Sequence, residues 1–172
     1  MKLSTKGRYA VMAMVDLATH SKGRPVALAD IAERQEISLS YLEQLFAKLR
    51  RGGLVKSVRG PGGGYLPARP IEDTRVSDII LAVDEPIRTT RCTPGSPSGC
   101  RTNKSRCLTH DLWEELGNQI HLYLSSISIA DVVEKRILGR GRGGLRPEEI
   151  LPIDALEPVD KKDSVSPFQA AE

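Results

Sequence analysis

Apolar residues recur at helical spacing through most of the chain, and the places where that period fails divide it. Within residues 5–20, Ala10, Val11, Met14, Leu17 and Ala18 fall three and four apart, as on one face of a helix. The run Ser21–Pro25 (SKGRP) breaks the pattern. Leu28, Ile31 and Ala32 predict a short second helix to about Gln35, and Glu36-Ile37-Ser38 is a tight connection. Leu42, Leu45, Phe46 and Leu49 then repeat at i, i+3, i+4 and i+7, the buried stripe of a third helix. Ser40 and Glu43 have the spacing of a capping box at its start, and Gly52-Gly53 ends it.

The period changes after Gly53. Leu54, Val55 and Val58 are strand formers, Gly60 to Gly64 hold no regular structure, and Tyr65-Leu66 resumes a strand. This predicts a β-hairpin with a glycine-rich tip, closed by Pro67 and Pro70. Val76, Ile79, Ile80 and Val83 form a fourth short helix ending before Pro86. Residues 92–107 are rich in Gly, Pro, Ser and Arg and read as a loop. From His110, Leu112, Leu116, Ile120, Tyr123, Leu124 and Ile127 mark a long helix, with Trp113 widening its apolar face. Ser128 and Asp131 cap a last short helix to about Ile137, and 139–172 reads as a disordered tail.

The expected fold is therefore mainly α with a small β-hairpin, in the order of a winged helix-turn-helix domain followed by a long helix. The expected organisation is a DNA-binding domain over 1–85, a ligand-bearing loop over 86–110, a long helix with a short final helix over 110–138, and the tail over 139–172.

Charge adds a partner to this picture. The formal net charge is +3, but residues 1–69 carry 12 Lys/Arg against 5 Asp/Glu while the rest is mildly acidic. A basic first third suits an anionic partner, with double-stranded DNA the usual one, or else it is a solvated face. In a winged helix the third helix enters the major groove and the hairpin reaches the flanking backbone or minor groove. The candidate reading residues are Ser38, Ser40, Tyr41, Glu43, Gln44, Lys48 and Arg51, with Arg59 and Gly60 at the hairpin tip. Gln44 pairs well with adenine and Glu43 with cytosine N4, while Lys48 and Arg51 suit phosphates. Each has a plainer alternative: Glu43 as part of the capping box, Tyr41 packed on the hairpin, Lys48 and Arg51 as solvated charges. Arg59 suits a narrow minor groove. The glycines do not make a Walker loop, because the Lys-Ser/Thr pair is missing and no helix follows.

All three cysteines lie between Cys92 and Cys107, and His110 follows, a C-x7-C-x6-C-x2-H spacing. Three thiolates and an imidazole make a four-coordinate donor set. His20 and His121 sit within helical patterns and read as solvent-facing or packing residues. Only Cys107–His110 is short, whereas structural zinc sites use two short knuckles. The longer intervals favour an iron–sulfur cluster over zinc, with a metal-free thiol switch also open. No acid/base pair accompanies the thiols, so no enzyme is expected. The apolar run Ala10–Val15 is broken by Asp16 and is too short to span a membrane or to act as a secretory signal. A cytoplasmic protein with reduced thiols is expected.

The segments LSTKGRYAVMAM, SLSYLEQLFAKLRRGGLVKSVRGPGGGYL, AVDE and CLTH together resemble the Rrf-two family of winged-helix regulators, and within it the branch that senses iron–sulfur clusters. The similarity spans about residues 1–135. It implies a homodimer paired through the long helix from His110, binding to promoter DNA, and a 2Fe-2S cluster on Cys92, Cys100, Cys107 and His110. It implies control of cluster-assembly genes, mainly as a repressor and in places as an activator, with the assembly machinery as cluster donor. Related regulators on the same scaffold answer to nitric oxide, iron or cysteine supply. From another class, a zinc or cluster carrier would use the winged helix to dock a protein.

Overall fold

The computed structural model describes residues 5–85, 89 and 99–137. Cys92, with the rest of residues 86–88 and 90–98 of the predicted ligand loop, and the predicted disordered tail lie outside the described residues. The elements run α1 (Thr5–Ser21), α2 (Leu28–Gln35), α3 (Leu39–Arg51), β1 (Val55–Val58), β2 (Gly64–Pro67), α4 (Val76–Ala82), α5 (His110–Ser126) and α6 (Ile129–Val133). This is the expected order, and the first three helix ranges fall within a residue or two of the sequence reading.

α1 is the hub. Its stripe of Ala10, Ala13, Met14 and Leu17 is buried, and it packs against α2, α3, α4, α6 and β2. Small residues at positions 10 and 13 let the neighbouring helices approach closely. α2 stops at Glu36, which adopts the left-handed conformation (φ 53°) and donates its N–H to the Ala32 and Glu33 carbonyls. Ile37 is buried just after this stop, and it anchors the turn that swings the chain into α3. α3 buries Leu42, Leu45, Phe46 and Leu49, as their spacing predicts.

The start of α3 differs from expectation. The capping box on Ser40 and Glu43 does not form: Ser38 is the N-cap, without a side-chain bond, and Ser40 already lies in the first turn. The Ser38 carbonyl takes the N–H groups of Tyr41 and Leu42 at 3.1 and 3.0 Å, so the helix is under way before Ser40 is reached. Ser40 and Glu43 are left exposed.

β1 and β2 pair antiparallel, Val55 opposite Pro67 and Val58 opposite Gly64. The hairpin is fixed to the helices in two ways. The Phe46 and Tyr65 rings meet edge to face, 4.9 Å apart. Val26 also forms a one-residue bridge to Tyr65, with N–H···O bonds of 2.9 and 2.8 Å in the two directions. Val26 thus acts as a fragment of a third strand.

α6 returns to the reading head. Ile129 is fully buried in the main core, and Val76 N–H donates to the Ile127 carbonyl at 3.0 Å. The predicted cap is present: Asp131 accepts the Ser128 N–H, and Ser128 Oγ accepts the Asp131 N–H. α5 behaves otherwise. Leu112 and Trp113 are 62% and 44% exposed, Leu122 and Tyr123 are exposed too, and Leu116, Ile120 and Leu124 are half-buried. Leu124 packs against the Val76, Ile80 and Ile127 cluster, but the rest of the α5 apolar face is left largely uncovered by the described residues of its own chain.

Candidate functional site

The outer face of α3 follows from its inner one. With Leu42, Leu45, Phe46 and Leu49 facing the core, Ser40, Gln44, Ala47 and Arg51 recur four, three and four residues apart on the opposite side. Ser38, Ser40, Glu43, Gln44 and Arg51 are exposed, and Arg51 Nε donates to the Ala47 carbonyl at 3.4 Å. Arg50, not singled out from the sequence, is exposed in the same last turn as Arg51. The signal for it was its charge beside Arg51, at a position off the apolar stripe.

Tyr41 and Lys48 occupy the flank rather than the outer face. Tyr41 is half-buried, its ring edge-on to Tyr9 at 6.1 Å. Lys48 Nζ lies 2.8 Å from Asp84 Oδ2, just beyond α4. The hydrogen bond with Asp84 raises the Lys48 pKa, and the same bond lowers that of Asp84. Lys6 Nζ donates to the Asp84 carbonyl at 3.4 Å, and its own pKa is lowered, first by its hydrogen bond with Lys48. Glu85 accepts the Gly7 N–H at 2.5 Å. The end of α4 is thereby tied to both α1 and α3. A pocket of about 310 Å³ opens here, lined by Lys48, Arg51, Gly52, Leu81, Ala82 and Asp84.

The hairpin carries Lys56, Arg59 and Gly60 exposed. Its tip turns through Gly60 (φ 102°) and Gly62 (φ 72°), with the Gly63 N–H on the Gly60 carbonyl at 2.9 Å. Two positive φ angles explain glycine there. The tip presents bare backbone next to Arg59.

The position of α2 is secured by a buried carboxylate. Asp16 accepts two bonds from Arg34 Nε (3.0 and 3.2 Å), one from Arg34 Nη2 (2.7 Å) and one from Gln35 Nε2 (2.7 Å). Burial pushes the Asp16 pKa up. The bonds from Arg34 and Gln35, with the Arg34 charge, outweigh this and leave it below the ordinary carboxylate value.

At the second site, residues 99–107 form a compact turn. The Gly99 N–H donates to the Lys104 carbonyl at 2.8 Å and the Arg101 N–H to the Ser105 carbonyl at 3.1 Å. Asn103 Oδ1 accepts from the Ser105 N–H and hydroxyl at 3.1 and 2.7 Å. This turn brings Cys100 Sγ to 3.0 Å from His110 Nδ1 across ten residues of sequence. His110 is only 4% exposed although it opens α5. Its N–H donates to the Cys107 carbonyl at 3.1 Å, and Cys107 Sγ is 3.8 Å from Thr109 Oγ1. Cys100 and Cys107 are both half-buried. Glu114, one helical turn on, places Oε2 3.5 Å from His110 Nε2, and Asp111 lies in the same group. Neither carboxylate was singled out from the sequence, although His110-x3-Glu114 is an i, i+4 pair. Soft sulfur and imidazole nitrogen in contact suit an iron–sulfur cluster or zinc. His20 and His121 stand on the exposed sides of α1 and α5.

A compact helical head with a polar, exposed third helix and a basic antiparallel hairpin defines a winged helix-turn-helix transcriptional regulator. The chain belongs to the Rrf2 family, whose model, described as an iron-dependent transcriptional regulator, matches residues 3–135. The IscR transcriptional regulator of Photorhabdus laumondii is 54% identical over 136 residues, 79% of this chain and 81% of that protein. IscR of Yersinia pseudotuberculosis is 53% identical over the same span. Among solved structures, T. potens IscR aligns with TM-score 0.63 and 42% identity, covering 79% of this chain and 88% of that one. The cysteine regulator CymR of B. subtilis aligns with TM-score 0.65 and 32% identity over 78% of this chain and 98% of that one. These relatives are regulators of transcription, not enzymes. No described helix is long and apolar enough to cross a membrane.

Proposed function

We propose that this regulator senses iron–sulfur cluster supply and controls cluster-assembly genes, mainly by repression. The observation that carries this reading is the approach of Cys100 Sγ to the buried His110 Nδ1, 3.0 Å apart at the head of α5. A thiol and an imidazole so close are a ready pair of donors. Cys107, three residues before His110, and Cys92, outside the described residues, complete the set. A bound 2Fe-2S cluster supplies a cross-link that is made or lost with iron and sulfide availability. Zinc suits the same atoms and is the alternative.

On the DNA side, Ser38, Ser40, Glu43 and Gln44 read base edges or the adjoining backbone in the major groove, and Arg51 holds phosphate. Arg59 and Gly60 reach the flanking groove from the hairpin. Tyr41 supports the recognition helix, and Lys48 stands between Asp84 and the DNA backbone. A second copy pairs along α5, which sets two α3 helices at half-sites about one DNA turn (~34 Å) apart. The segment from residue 86 to His110 joins the reading head to that pairing helix. Ligand binding there therefore restricts how the two heads are held, at the expense of loop entropy. We place the protein in the cytoplasm, where the thiols stay reduced.

The test is anaerobic purification followed by reconstitution with iron and sulfide. A brown protein with visible charge-transfer bands is expected, and a colourless protein with stoichiometric zinc overturns the cofactor assignment. Footprints of loaded and cluster-free protein on promoter DNA are expected to differ. Cys100→Ala and Cys107→Ala are expected to fold and to remain in the cluster-free binding mode.

A further inference from the structure

We infer that His110 offers Nδ1, not Nε2, to the cofactor, and that Glu114 is the positioning residue that makes it do so. This rests on the cluster-sensing reading above and goes beyond it by naming the ligating nitrogen and its carboxylate partner. The two ring nitrogens face different surroundings. Nδ1 is 3.0 Å from Cys100 Sγ. Nε2 faces the Glu114 carboxylate, with Oε2 at 3.5 Å.

A neutral imidazole carries one N–H and one lone pair, and the partner of one nitrogen decides what the other presents. A carboxylate beside Nε2 stabilises the tautomer protonated there and leaves the Nδ1 lone pair turned towards the sulfur. The ring is held in that orientation because His110 is 4% exposed and its backbone is bound to Cys107 at the helix start. Burial of the ring reduces, on its own side, the screening of the carboxylate's field relative to open solvent. Metal-ligating histidines in general donate their outer nitrogen to a carboxylate, carbonyl or water, and Glu114 Oε2, 3.5 Å from Nε2, is the carboxylate within ion-pair reach of that position. Glu114 is well suited to the part: it is on the same helix one turn later, so its reach to the ring does not depend on any loop. A carboxylate behind the ligand makes the imidazole a stronger donor and favours the oxidised, more positive state of the metal pair.

The first test uses unaltered protein grown with histidine labelled with nitrogen-15 at Nδ1 only, reconstituted anaerobically and reduced by one electron. Electron–nuclear double resonance is expected to show the strong coupling of a directly bound label. A weak coupling, as from the remote ring nitrogen, overturns the inference while leaving the cluster in place. Strong coupling with Nε2-labelled histidine does the same, and assigns Nε2 to the metal. The second test compares reduction potentials. Glu114→Gln is expected to raise the midpoint, whereas Glu115→Gln, an equal loss of charge on the neighbouring exposed position, leaves it close to that of the unaltered protein. Equal shifts in both variants, or none in Glu114→Gln, remove Glu114 from the role. The labelled unaltered protein decides the ligating nitrogen even if Glu114→Gln does not fold. Failure of the unaltered protein to take up iron and sulfide is a different result, because it rejects the cluster-sensing reading itself.

Discussion

Lys48 Nζ lies 2.8 Å from Asp84 Oδ2, so the flank of the recognition helix is tied to the residues that lead out of the reading head. Lys48 has two claimants, Asp84 and, in the proposed complex, a DNA phosphate. Asp84→Asn removes the charged claimant. Its expected effect is tighter non-specific DNA binding, with the slope of log affinity against log salt steeper by about one phosphate contact (~0.9). Titrations of a random duplex at several salt concentrations measure this. An unchanged slope means that Lys48 does not reach DNA.

Asp16 contributes to the acid limb of stability. Its folded pKa is depressed, so its contribution is fully present above the unfolded value of about 3.9 and is lost as pH falls through the folded value. Asp16→Asn keeps the shape but loses charge-assisted bonds to Arg34 and Gln35, at a cost of about 1–3 kcal/mol near neutral pH. Urea midpoints at pH 7 and pH 3 are expected to show the variant well below the parent at the first and much closer to it at the second. A gap that does not narrow in acid assigns the loss to packing alone.

The elements legible in the sequence are those with a long period or an unmistakable break. Leu42, Leu45, Phe46 and Leu49 announce α3 because a buried helical face must repeat at this spacing, and the glycines after Val58 announce the hairpin tip. What escaped is what one residue does at a distance. Val26 makes a single-residue bridge and has no alternation to reveal it. Ile129 enters the main core from a helix of five residues, too short to show a period. Ser40 and Glu43 have the capping spacing, yet the same spacing arises wherever a helix has already started, and only Ser38's accepted bonds locate that start. The cysteine–histidine set was readable as a donor list. The contact of Cys100 with His110 needed the 99–105 turn, and Glu114 gained meaning only once the His110 ring had an orientation.

The bridge through Val26 makes Gly64 a sensitive position. A Cβ at Gly64 would stand 2.2 Å from the Val26 carbonyl oxygen and 2.5 Å from its carbon, both backbone atoms that cannot rotate away. Gly64→Ala is therefore expected to open the bridge and cost about 1–3 kcal/mol. Thermal unfolding gives the stability, and amide exchange at Tyr65, whose N–H is bonded to Val26 O at 2.8 Å, shows whether the hairpin has come loose. Full protection of that amide in the variant means that the backbone has shifted to fit the methyl group. In that case the hairpin stays seated.

Arg59 and Gln44 separate positioning from reading. Arg59→Ala is expected to lower affinity for every duplex alike and to flatten the salt slope by about one. Gln44→Ala is expected to leave the slope unchanged and to relax preference at one position of the site by about 1–3 kcal/mol. Binding to a set of single-base variants at two salt concentrations distinguishes the two patterns. If both variants lose affinity uniformly, α3 holds the backbone and sequence is read elsewhere.

The uncovered face of α5 gives a last expectation. Leu112, Trp113, Leu116, Ile120 and Tyr123 form an apolar strip along a helix of 17 residues, about 25 Å long. An apolar strip of that length on a DNA-binding regulator calls for a covering partner, and in the proposed dimer a second copy covers it and also supplies a second reading head. Leu112 is 62% exposed in the single chain, so Leu112→Glu leaves the fold of each head intact. A carboxylate placed in the strip of the proposed dimer is expected to weaken dimerisation at least tenfold, about 1.4 kcal/mol. Sedimentation equilibrium measures the association, and far-ultraviolet circular dichroism checks that the helices persist. On a two-half-site promoter the variant is expected to bind more weakly, while on a single half-site it matches the parent. A parent protein that sediments as a monomer at every concentration removes α5 from this role.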